Sequence, residues 1–160
     1  MKVGSGGFRQ NLAERLILFV AEDPAGSGTG KNRSFRASLR NAVKGLVFAF
    51  LTGRNFRFES ACLVLAVILG CVLGIDRIEW ALLLTNCFFV LALEAKNTSL
   101  ELSVDLSTEH YSYGAKGSKD SASGAVLLAA LSSVIAGGLV FGPRLLAMAA
   151  TFLAGPGRLP

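Results

Sequence analysis

The sequence predicts an all-α membrane protein, with three transmembrane helices preceded by an amphipathic helix on the membrane surface. Three observations carry that reading. Apolar residues make up 52% of the 160-residue chain and charged residues only 17%, whereas a soluble domain carries about a quarter charged. The apolar residues gather in long runs separated by short polar breaks. The net charge is +5, and most of the Lys and Arg lie before Phe58. A basic N-terminal region with little aromatic interleaving suits an anionic membrane surface better than nucleic acid. The length fits one domain.

Residues 1–33 read as an appendage. Phe8, Leu12, Leu16 and Phe19 would line one face of a short helix that ends by Pro24. A Gly/Ser-rich linker, AGSGTGKNR, follows. It lacks the glycine spacing and the Lys-Ser/Thr pair of a phosphate loop. The run Leu16–Ala21 is too short, and is flanked by the wrong residues, for a secretory signal.

The membrane domain is expected over 34–142. From Ser34 to Leu51, the residues Leu39, Val43, Leu46, Val47 and Phe50 fall on one face and Arg36, Arg40 and Lys44 on the other. That is the pattern of a helix lying in the membrane interface. Gly53, in Thr52-Gly53-Arg54-Asn55, is placed to cap that helix. The first apolar segment, Ser60–Ile75, is short of the roughly 20 residues that a span needs, so its helix must borrow from Phe56–Glu59. Asp76, Arg77 and Glu79 make a tight polar turn, with Trp80 as an interfacial aromatic. The second segment runs from Trp80 through Leu93 and on as a helix to about Leu106. The third runs from about Ala122 to Phe141, where Gly142-Pro143-Arg144 is expected to end it. Residues 143–160 form a short apolar tail. Cys62, Cys71 and Cys87 match no metal spacing and read as small buried hydrophobes. Three spans put the termini on opposite sides. The positive-inside rule then places the N-terminus and the loop carrying Lys116 and Lys119 in the cytoplasm.

One polar cluster breaks this pattern. Glu94, Asn97, Glu101 and Asp105 fall within an arc of roughly 80° on one helix face. They directly follow an almost wholly apolar stretch. Polar glue between helices would account for one Asn. Two Glu and an Asp on one stripe point instead to a hard cation such as Mg²⁺, which takes one or two carboxylates together with phosphate oxygens and water. Lys116, Lys119 and Asp120 follow in the loop, where a Lys can neutralise charge that builds during phosphoryl transfer. Small residues, Ser121 to Ala125, open the third segment.

At these residues the chain resembles the prokaryotic integral-membrane diacylglycerol kinase and undecaprenol kinase family. The matching text is Glu94-Ala-Lys-Asn97-Thr98-Ser-Leu-Glu101, Val104-Asp105, Ala115-Lys116-Gly-Ser-Lys119-Asp120 and Ser123-Gly124-Ala125-Val126. Asn41-Ala-Val-Lys44-Gly45-Leu46 and Arg54-Asn55-Phe56-Arg57 add to it. The resemblance covers about Ser34 to Phe141. It implies a homotrimer in the plasma membrane with active sites shared between subunits, and transfer of the γ-phosphoryl of ATP to a lipid hydroxyl with Mg²⁺ as cofactor. It implies Glu94 as general base at the lipid hydroxyl, Glu101 as metal ligand near ATP, and Asn97 and Asp105 as orienting residues. ATP would also meet His110, Tyr111, Ser112, Lys119 and Asp120, and Ser123 would touch the lipid. The acceptor implied is undecaprenol, with diacylglycerol close behind. One departure stands out: where the family has a metal-binding Glu, this chain has Gly53. Two function classes follow, a lipid kinase and a non-catalytic nucleotide- or lipid-binding membrane protein whose kinase site has decayed. A small transporter fits less well, because the polar residues gather at one end of the spans.

Overall fold

A computed structural model of the chain describes residues 35–107 and 112–154. The appendage expected over 1–33, together with His110 and Tyr111, lies outside the described residues. The described residues form four helices: α1 (Phe35–Thr52), α2 (Arg54–Leu73), α3 (Arg77–Ser107) and α4 (Tyr113–Ala154). The last three are long and apolar enough to cross a membrane. Two compact units divide the chain, one ending at Arg57 and one starting at Phe58.

In the first unit, α1 exposes Leu39, Val43, Leu46 and Phe50 of the apolar face read from the sequence, and Phe35 in addition. Gly53 does not cap it in the left-handed conformation expected. Its N–H donates to the Ala49 carbonyl at 2.7 Å, and its own carbonyl accepts from the Arg57 N–H at 3.3 Å. Helix α1 nevertheless stops at Thr52 and α2 starts at Arg54, so the break expected at Gly53 is present. The Arg57 guanidinium donates to the Phe50 and Leu51 carbonyls at 3.2 and 2.9 Å, which occupies acceptors at the end of α1. Phe56 sets its ring edge-on to Phe50, with centroids 6.5 Å apart.

In the second unit the left-handed residue is Gly74, at φ 60°. The Ile75 N–H reaches back to the Gly70 carbonyl at 3.3 Å, the long bond of a Schellman motif. Asp76 then opens α3. Its Oδ1 accepts from the Ile78 and Glu79 N–H groups at 2.7 and 3.0 Å, and Glu79 Oε2 accepts from the Asp76 N–H at 2.8 Å. This is a capping box with Asp in place of Ser or Thr. Gly70 is buried beneath Trp80, where an added Cβ would come within 2.8 Å of the indole. Glycine is what lets the turn close that tightly.

Helices α3 and α4 pack along each other. At the far end, Ile75, Leu83 and Val140 form a small buried cluster, which Ala66 and Leu73 of α2 join together with Trp80 and Phe141. Midway, Ser132 donates to Asn86 Oδ1 across the pair at 2.9 Å. Such a bond between spans contributes about 0.6 kcal/mol.

The third span differs from expectation, because α4 continues through Pro143 to Ala154. Proline removes one N–H and normally disrupts a helix interior. Here only that one donor is lost, and the helix resumes beyond Pro143. Arg144 helps hold the continuation in place. It forks onto Glu79, both N···O distances being 2.7 Å, and donates to the Val140 carbonyl at 2.9 Å. The cysteines also differ from expectation: Cys62 and Cys71 are exposed and Cys87 is half-buried. Cys62 and Cys87 line a cavity shared by α2, α3 and α4.

Candidate active site

The carboxylate stripe sits on the second half of α3, and its surroundings change along its length. Glu94 and Asn97 are buried, at 4% and 6% exposure, whereas Glu101 and Asp105 are exposed. The Thr98 hydroxyl donates to the Glu94 carbonyl at 3.0 Å. Asn97 Nδ2 donates to Glu101 Oε1 at 3.1 Å. That bond leaves the Asn97 carbonyl oxygen buried with no hydrogen-bond partner. A buried acceptor without a donor costs about 1–3 kcal/mol, so the site is arranged for something that supplies positive charge or an O–H.

Lys119 pairs with Asp105, which ties α4 to α3 at the open end of the site. Asp120 pairs with Lys116 on its own helix. The two residues expected to act together on ATP thus begin with different partners. Exposed pairs of this kind are worth about 0–1 kcal/mol, so a polyphosphate could exchange for either carboxylate at little cost. Ser112 and Ser123 are both exposed, Ser123 near the start of the third span.

Sequence reasoning undervalued one residue. Glu59, which the sequence offers only as part of the lead-in to the first span, lies close enough to Glu94 for the two carboxylates to repel. Its Oε2 is buried without a hydrogen-bond partner. Glu59 lines a cavity of about 160 Å³ with Cys62 and Leu63 of α2, Cys87 and Val90 of α3, and Ala130 and Ser133 of α4. Val90 is one helical turn from Glu94, so part of the cavity lining lies about a turn along α3 from the buried pair. The available signal was a lone acid at the head of an apolar run, which is costly to place in a membrane without a role.

The donor set fits a hard cation. Glu101 and the Asn97 carbonyl offer oxygen ligands, and Mg²⁺ takes the rest from phosphates and water. Among the described residues no three His, Cys, Asp or Glu side chains converge on one point.

A bundle of apolar spans with buried acid and amide groups at one end, and a cavity lined in part about a turn away, is the architecture of an integral membrane protein that handles a polar group at the bilayer boundary. The sequence profile described as "Prokaryotic diacylglycerol kinase" matches residues 40–141. The chain belongs to that family. It is 43% identical over 113 residues to a diacylglycerol kinase of Synechocystis, covering 69% of this chain and 64% of that protein. It therefore spans just under two thirds of that relative's length. An undecaprenol kinase of Bacillus subtilis is 37% identical over 114 residues, with 71% and 92% covered. A diacylglycerol kinase of Escherichia coli is 33% identical over 111 residues, with 69% and 90% covered.

Proposed function

We propose that the chain is a lipid kinase that moves the γ-phosphoryl group of ATP to the hydroxyl of undecaprenol or diacylglycerol. The observation that carries this reading is the buried pair Glu94 and Asn97, with Glu94 one helical turn from Val90 in the lining of the cavity that Glu59 shares. A carboxylate in that setting can take a proton from a lipid hydroxyl held at the bilayer boundary. The names of the relatives supply the two acceptors.

In this mechanism Glu94 accepts the hydroxyl proton as the lipid oxygen attacks the γ-phosphorus. The bond from that phosphorus to the bridging oxygen breaks, and ADP leaves. The Asn97 amide, held through Nδ2 by Glu101, keeps its carbonyl fixed toward the site. Glu59 sits where it can accept a hydrogen bond from the incoming hydroxyl. Lys119 leaves Asp105 to meet the phosphates, Asp120 and the segment 110–112 contact the nucleotide, and Ser123 meets the lipid. Glu101 with the Asn97 carbonyl would hold Mg²⁺, which supplies charge neutralisation at the phosphoryl oxygens when bound. The basic N-terminal region supports a site on the cytoplasmic face of the plasma membrane, and the resemblance supports a homotrimer.

Purified protein assayed against a lipid panel with labelled ATP, with and without Mg²⁺, tests the reading. Transfer to one of the two lipids that depends on Mg²⁺ is expected. Gly53 favours one alternative, a nucleotide- or lipid-binding protein with a decayed kinase site. Gly53→Glu separates the two. A rise in turnover from near zero supports decay, and an active parent that the substitution leaves unchanged rules it out.

A further inference from the structure

The family match ends at residue 141, but α4 runs on to Ala154. From Lys119 to Arg144 the helix rises about 37 Å, already more than the hydrocarbon core of about 30 Å. At Arg144 it meets the polar turn at the head of α3. Residues 145–153 thus extend past the membrane boundary, on the face opposite the candidate active site.

This extension is two-sided. Leu145, Leu146, Met148, Phe152 and Leu153 fall within an arc of about 160°, and all are exposed, Phe152 at 87% and Leu153 at 83%. Ala147, Ala150 and Thr151 lie on the other side. The same two stripes run down the span itself. Leu128, Leu131, Ile135 and Leu139 are exposed on the bulky side, whereas Ala129, Ala136 and Val140 are buried on the small side. The bulky face of the extension therefore continues the lipid-facing surface of α4. No charged residue lies between Arg144 and Ala154, so it has no electrostatic signal to offer a protein or nucleic acid. Gly142-Pro143 stands at the junction, one lacking a side chain and the other an N–H, which is where a helix bends most readily.

We propose that residues 145–154 form an interfacial lipid-binding helix. It turns at Gly142-Pro143 and lays its bulky face into the headgroup region of the leaflet opposite the active site. Insertion comes from apolar burial alone, with the small, uncharged face toward water. Arg144, clamped to Glu79, fixes the point from which it turns.

The test uses the full chain in phosphatidylcholine–phosphatidylglycerol vesicles, with Trp80→Phe and a single new indole, either Phe152→Trp or Ala150→Trp. Lipids brominated near the headgroup should quench the indole at 152 more than lipids brominated near the chain end. Acrylamide should reach the indole at 150 and not that at 152, and diluting the protein in lipid should change neither result. Acrylamide reaching both positions equally would overturn the proposal, as would stronger quenching of 152 by deep bromines. Protection of 152 from both quenchers that disappears on dilution would show that a second copy covers this face instead, and would also overturn it.

Discussion

The two ends of the α3–α4 pair both carry charge next to an apolar span, and they treat it in opposite ways. At the turn end Asp76, Glu79 and Arg144 are bonded within one cluster. Asp76 caps α3, Glu79 answers the Asp76 N–H and also receives the Arg144 fork, and Trp80 closes over Gly70. At the other end Asn97 keeps a buried oxygen with no donor, and Glu59 keeps another nearby. Charge that stabilises a fold is internally matched, whereas charge kept for a ligand is left incomplete. The difference lies in the buried oxygens alone, since the exposed charges at the site end are paired as well, Lys119 with Asp105 and Lys116 with Asp120.

That contrast predicts opposite responses to substitution. The largest effect is expected from Glu94→Gln. Loss of a positioned base lowers turnover by about 10²–10⁴-fold, while the thermal midpoint in detergent stays the same or rises. A mutant as active as the parent would remove Glu94 as base. Gly70→Ala should do the reverse. Its Cβ would press on the indole of Trp80, and such overpacking costs about 1–3 kcal/mol. The midpoint of unfolding should fall, with turnover at low temperature intact. Asp76→Ala is the mildest, removing an N-cap worth about 1 kcal/mol. It should show as a small loss of midpoint and faster amide exchange confined to the first turn of α3. Should either turn-end variant abolish turnover while leaving the midpoint in place, the division of labour would be wrong.

Much of this was legible in the sequence. Long apolar runs name spans directly, because the bilayer sets the length of helix it accepts. The one-sided face of α1 and the stripe from Glu94 to Asp105 follow from helical periodicity alone. The features that were hidden depend on residues far apart in the chain. Arg144 finds Glu79 across 65 positions, and no local pattern announces that pairing. Pro143 was misread for the same reason, since a proline that ends helices in water is tolerated in an apolar helix that tertiary contacts anchor on either side. Glu59 becomes informative only once α2 is placed beside α3. The pairing of Lys119 with Asp105 and of Asp120 with Lys116 was a choice among several that the spacing permitted.

The clamp between Glu79 and Arg144 also has a place in time. The turn at Gly74–Asp76 is so short that α2 and α3 must enter the bilayer together as a hairpin. Arg144 is made 65 residues after Glu79, a lag of about 3–13 s at ordinary rates of synthesis. Throughout that interval Glu79 has its capping bonds and lacks its guanidinium. The clamp closes only when the third span has been threaded to full depth, so its formation marks the moment at which the subunit is complete.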